Sequence, residues 1–225
     1  MNTKHKKPTL TKKQRHKLRV QQVRRQKIFL TCLFLLIVGC ILLRFSKFSG
    51  RQKETHQINA ACEAYRDEVS SEAAQYDMSD YVDLILAVMM QESSGQGTDP
   101  MQSSEGAYNT RYPQQPNGIT DPSYSISCGI QELKYALEKA VCTGPTDLSK
   151  IRLALQAYNF GADSYFAYLE ENGQTVWTAQ SAQAFAQMAS GGTQRDEDDP
   201  LHDPAGPWDY GDQYYPDCLL YTSPS

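Results

Sequence analysis

The chain has 225 residues, with 22 Lys and Arg against 26 Asp and Glu, enough for one ordinary domain with appendages or two small ones. Its charge is sharply divided: residues 1–50 hold 13 of the basic residues and no acid, while residues 51–225 hold 9 bases and all 26 acids, a formal charge of −17. That division excludes one uniform surface and implies two compartments or two partners.

The basic tail spans residues 1–27 and is followed by the uncharged run "IFLTCLFLLIVGCILL", Ile28 to Leu43. As a helix this run covers about 24 Å, and snorkelling of Arg44 and Lys47 extends it to Phe48, long enough for a hydrocarbon core of about 30 Å. The basic side faces the cytoplasm, so the sequence predicts a single-pass signal anchor at 28–48 with the acidic part outside the cell. A cleaved signal peptide fits less well, because no small-x-small site follows the apolar run. "IVGC" resembles a lipoprotein box ending at Cys40, yet apolar residues continue past it. Topology and membrane attraction explain the tail; nucleic-acid binding is not implied, since interleaved aromatics are missing.

After a short linker at 49–56, residues 57–76 read as a moderately amphipathic helix. Ser79 or Asp80 offers a cap for the next one, in which Tyr81, Leu84, Ile85 and Val88 recur at helical spacing. Val82, Leu86 and Met89 add a second apolar flank, and Gly95 and Gly97 stop the helix. Residues 93–127 form a long polar loop, a feature more often functional than idle. Helical periodicity returns at "CGIQELKYALEKAVC", then in the stripe Leu148, Ile151, Leu155, Tyr158, then in "ADSYFAYLEENG" and "WTAQSAQAFAQMAS". The fold class predicted is all-α, one globular domain over 57–190. Residues 191–225 read as an acidic Gly/Pro linker with a truncated or non-native tail. Cys62, Cys128, Cys142 and Cys218 show no metal-ligand spacing and read as free thiols; no cofactor or metal is implied.

Glu92 stands four residues after Val88 and seven after Ile85, on the face those residues bury. A carboxyl there loses hydration, which favours its neutral form. A carboxyl that stays protonated near neutral pH suits the cleavage of a glycosidic bond, whose leaving oxygen needs a proton. On periodicity alone, a Glu that simply points to water from a helix end fits equally.

The strings "QESSG", "SISCGIQEL" and "LALQAYNFGADSY" occur in the order and rough spacing of the goose-type lysozyme and lytic transglycosylase superfamily. More narrowly, with "DPMQ.SEGAYN" and "NGITDP.YSI.CG", residues 55–190 resemble the lysozyme-like domain of bifunctional cell-wall hydrolases carried by Gram-positive conjugative elements. The resemblance implies Glu92 as catalytic acid, Ser93 as its support, Gln131 lining the glycan cleft, and Tyr158 and Asn159 touching sugar or holding Glu92. Each has a plainer reading: exposed helix residue for Gln131, core stripe for Tyr158, helix end for Asn159.

A second carboxylate decides the reaction, because an inverting hydrolase holds a base about 6.5–9.5 Å from the acid with water between them. Glu105, at a loop position similar to that of the family's second acid, ranks first, and Asp121 second. The function expected is a membrane-anchored muramidase that cuts N-acetylmuramic acid–N-acetylglucosamine bonds of peptidoglycan, a glycoside hydrolase serving conjugation or secretion machinery. The alternatives are a lytic transglycosylase with Glu92 as both acid and base, or a non-catalytic wall-binding scaffold. Related hydrolases continue into a cysteine peptidase domain; with no room for one after Cys218, the expectation is either a single-domain copy or a sequence cut short at the linker.

Overall fold

The computed structural model describes residues 58–199 and 202–220. The basic tail, the span expected at 28–48 and the linker 49–56 lie outside the described residues. Among the described residues, no helix is long and apolar enough to cross a membrane.

The described residues form eight α-helices in chain order: α1 Ala60–Glu63, α2 Arg66–Gln75, α3 Val82–Ser93, α4 Pro122–Lys139, α5 Leu148–Phe160, α6 Ala162–Glu171, α7 Ala179–Ala189 and α8 Tyr215–Leu220. A single 3-10 turn, Ser79–Tyr81, precedes α3, and the described residues form no strand beyond one isolated bridge between Gln194 and Trp208. The all-α expectation holds for them.

α3 is the core helix. Its six consecutive residues Leu84 to Met89 are all buried, and side chains such as Ile85 and Leu86 each contribute roughly 1.5–3 kcal/mol by leaving water. Helices α1, α2 and α8 pack on it, while α4 lies across α2 and α5. A ring cluster of Phe160, Tyr165, Phe185 and Tyr210 joins α5, α6 and α7 to the segment before α8, with centroids 5.1–5.8 Å apart.

Three boundaries differ from the periodicity. The helix expected over 57–76 is broken at Ala64 and Tyr65 into α1 and α2. No Ser79 or Asp80 side chain caps α3; Tyr81 takes the cap position through its backbone. The helix expected from Cys128 begins six residues earlier, at Pro122, because Asp121 caps it and proline at the first position has its φ already set for a helix.

The linker reading of residues 191–225 is corrected as far as residue 220. Tyr215, Pro216 and Leu219 are buried, and α8 packs against both α3 and α5. Arg152 of α5 pairs with Asp217 of α8. Few apolar residues mark this segment, but Tyr215 and Leu219 enter the core. Cys62 and Cys128 are buried free thiols and Cys142 is a half-buried one, while Cys218 is half-buried on α8.

Candidate active site

The end of α3 is fixed from outside the helix. Ser94 leaves it in the left-handed conformation (φ 56°), and Gly95 follows at φ +73°. A Cβ on Gly95 would lie 2.9 Å from the Cys62 amide nitrogen, so a side chain is excluded by both space and backbone. Asn59, which caps α1, donates to the Ser94 carbonyl at 3.0 Å and ties α1 to this corner. Glu92 therefore sits one residue from a helix end that cannot drift.

The polar loop after α3 is a built structure organised by Asp99. That carboxylate is 1% exposed. It accepts from the Ser103 and Ser104 amides at 3.0 and 3.1 Å, from the Ser125 hydroxyl at 2.6 Å, and from the Ser104 hydroxyl. Those hydroxyls in turn accept from the Met101 and Ile119 amides at 3.1 and 2.8 Å. Asn109 closes the next turn, donating to the Ser104 carbonyl at 2.7 Å and accepting from the Tyr112 amide at 3.0 Å. A carboxylate that accepts four hydrogen bonds stays buried without a cation beside it.

Glu92 is half-buried, and its Oε1 accepts a hydrogen bond from the Tyr215 hydroxyl of α8. Burial raises its carboxyl to about 7; the charges of Asp99 and Asp212 add to the rise, and the Tyr215 hydrogen bond works against it. An acid so tuned keeps its proton up to neutral pH.

The other expected residues divide by position. Ser93 supports the loop: its hydroxyl donates to the Pro100 carbonyl at 2.8 Å and accepts from the Gly95 amide at 3.1 Å. Tyr158, half-buried on α5, donates to the Met101 carbonyl at 2.9 Å, and burial first, then the charges of Glu132 and Glu92, push its hydroxyl upward. Asn159 accepts from the Asp212 amide at 2.7 Å and so anchors the segment before α8. Gln131 bonds back to the Ser127 carbonyl at 3.1 Å and, with Asp121, Tyr76, Tyr108 and Tyr124, lines a polar groove of about 610 Å³ that Glu92 does not line. Asp121 caps α4 by accepting from the Tyr124 amide at 3.4 Å, and Glu105 is exposed on the loop. Neither is among the charges acting on Glu92.

Five residues at or bracing the site are given no role by the motifs. Asp99 has the look of a turn acid before proline. Glu132 stands in the quoted "GIQEL" beside Gln131; its signal is spacing, four residues after buried Cys128 and four before buried Ala136. Tyr215 and Asp212 come from the segment read as linker. Gln156, fully buried, braces that segment by donating to the Asp212 carbonyl at 2.8 Å while accepting from the Trp177 ring at 2.9 Å.

The family model for lysozyme-like proteins matches residues 60–217, from α1 through the contact of Tyr215 with Glu92. The chain belongs to the lysozyme-like family. Among curated relatives of this lysozyme-like chain is the bifunctional muramidase/DL-endopeptidase CwlT of Bacillus subtilis, 38% identical over 120 residues, 53% of this chain and 32% of that one. The membrane protein YocA of the same organism, described as uncharacterized, is 40% identical over 49% of this chain and 45% of its own. A pneumococcal vaccine antigen A homolog of Streptococcus pyogenes is 37% identical over 49% of this chain and 50% of its own. The chain thus spans between about a third and a half of these relatives. A crystal structure from Staphylococcus aureus Mu50, described as similar to lipoprotein and of the NLP/P60 family, superposes with a TM-score of 0.62 at 27% identity. The match covers 75% of this chain and 54% of that one.

Proposed function

We propose that the chain is a peptidoglycan muramidase with Glu92 as general acid. The observation that carries this is the carboxyl at the end of α3, raised to about 7 and oriented by Tyr215 in a lysozyme-like fold. Protonated Glu92 gives its proton to the leaving oxygen of a glycosidic bond as that bond breaks, and Tyr215 steadies the carboxylate that remains. The named muramidase activity of the CwlT relative supports the substrate class. Exposed Glu105, on the loop that follows α3, is the proposed base for the attacking water. Asp121 is less suited, since its side chain already caps α4.

One observation favours a lytic transglycosylase as the second reading. The carboxylates that act on Glu92 are Asp99 and Asp212. Asp99 is wrapped in hydrogen bonds, and Asp212 accepts from the Tyr214 amide at 2.8 Å. If neither they nor Glu105 activates water, the sugar's own 6-hydroxyl is the nucleophile and Glu92 is both acid and base. Masses of the fragments released from purified peptidoglycan separate the two, since only the transglycosylase gives 1,6-anhydro ends. No fragments from the wild-type chain would leave the scaffold reading.

Membrane tethering through residues 28–48 belongs to the same proposal, supported by the uncharged run and by the YocA relative's description as a membrane protein. Tethering would supply local concentration at a wall whose polyanions repel a domain of charge −17. Service to a conjugation or secretion machine is the corresponding partner proposal. A soluble form that clears intact cells as fast as the anchored chain would remove the tethering argument.

A further inference from the structure

α4 carries a carboxyl, that of half-buried Glu132, that the acid chemistry of Glu92 does not use. The loop from Asp99 to Thr110 crosses α4 at two close approaches. At Gly129 the space of a Cβ is taken by Met101, whose Cβ would be 2.6 Å away; one turn on, the space of a Cβ on Gly106 is taken by Glu132, whose Oε1 would be 1.4 Å away. Oε1 of Glu132 is buried and has no hydrogen-bond partner, while the Tyr108 backbone bonds to the same carboxyl.

The groups facing Glu132 come from three elements. Asp99 and the Tyr108 hydroxyl act from the loop, Glu92 from α3 and the Tyr158 hydroxyl from α5, with the Cys128 thiol on α4 itself; none of the groups acting on its carboxyl is a cation. Burial first, then the charges of Asp99 and Glu92, raise the carboxyl to about 8 and outweigh the Tyr108 backbone bond, which by itself favours the ionised form. A neutral carboxyl is tolerable in that position; a carboxylate with one bare oxygen, facing two other acids, is not.

We propose that Glu132 is a positioning residue, whose neutral carboxyl fastens loop residues 106–108 to α4 beside Glu92 and releases them on ionising. The proposal rests on the reading of Glu92 as the acid. Glycine at 106 belongs to the same device, because any side chain there would displace the carboxyl.

The test compares the full-length chain with Glu132→Gln, which is neutral at every pH, and Glu132→Ala, which removes the prop. If Glu92 alone controls the rate, log kcat/KM falls with a slope of −1 above about pH 7; a second group that must stay neutral steepens this toward −2 above about pH 8. The expected result is the steeper limb in the wild type and a slope of −1 in Glu132→Gln, whose rate near pH 6 stays within about threefold of wild type. Glu132→Ala is expected to lose about tenfold, in kcat more than KM. Equal limbs in wild type and Glu132→Gln overturn the proposal, and so does a folded Glu132→Gln as slow as Glu132→Ala. If Glu132→Ala does not fold, the Gln variant's profile alone decides. Hydrogen exchange at the amides of residues 106–108 needs no turnover and keeps the proposal separable from the Glu92 reading. These amides should lose protection above about pH 8 in the wild type and keep it in Glu132→Gln. Identical protection in both overturns the proposal, whatever the enzyme activity proves to be.

Discussion

The hydroxyl of Tyr215 bonds to the carboxyl of Glu92 although the two residues are 123 positions apart in the chain. The contact joins α8 to the end of α3, and it is the single influence that opposes the upward shift of Glu92. In Tyr215→Phe the carboxyl loses this donor and its orientation together. The alkaline limb of the pH–rate profile should move up by about half to one unit, with kcat reduced about tenfold. A profile superposable on wild type would show that the contact does not reach the reaction.

Glu92→Gln removes the proposed proton donor without changing volume. Fragment release from purified peptidoglycan should fall by a factor of about 10²–10⁴. In the proposed mechanism the active form is the protonated one, so the wild-type rate should decline as pH rises through about 7.

The same carboxyl has a stability signature. Its folded-state pKa of about 7 lies above the ordinary value of 4.5, so the folded state favours the neutral form. That preference is fully present below about pH 4.5 and is lost as pH rises through about 7. Glu92→Gln should therefore melt close to wild type at about pH 4 and higher at about pH 8, by up to about 3 kcal/mol. Melting curves recorded at the two pH values check the sign, and a variant destabilised at both would contradict it.

Asp121 allows its two roles to be told apart. As the cap of α4, it tolerates asparagine but not alanine. Asp121→Ala should cost about 1 kcal/mol in denaturant unfolding, and Asp121→Asn close to nothing. A water-activating base would behave differently, because Asp121→Asn would then abolish hydrolysis while leaving stability intact.

Ending the chain at residue 190 should be severe. It strips Tyr215 and Leu219 from α3 and α5 and uncovers the ring cluster around Phe160. Each fully buried side chain removed is worth roughly 1.5–3 kcal/mol, so the shortened domain should lose cooperative melting or melt far below the intact one. Unchanged melting would mean that the segment merely leans on the core.

Helical stripes made α3, α5, α6 and α7 readable in the sequence, because each buries a face whose spacing shows through composition. The start of α4 was hidden by polar residues around Ser123 and Ser127, and its real signal was the Asp121–Pro122 pair. Glu92 could be singled out because it extends an apolar stripe. Its partners could not: Tyr215 lies among Asp, Gly and Pro residues that have no period, and Asp99 organises its loop through hydrogen bonds that leave no pattern in hydropathy. Glu132 lay between. Its spacing from Cys128 and Ala136 marks burial, yet the neighbouring Gln131, which the structure turns toward the polar groove, drew attention through its motif.

The long reach from α3 to α8 also sets an order of events. A ribosome makes Glu92 well before Tyr215, and the early helices can collapse around α3 while α8 is still being made. During that interval the acid has neither the hydroxyl that orients it nor the Asp212 segment held by Asn159 and Gln156. On the proposed mechanism a partly synthesised chain is thus a poor catalyst, and competence arrives only when the far end of the domain has docked.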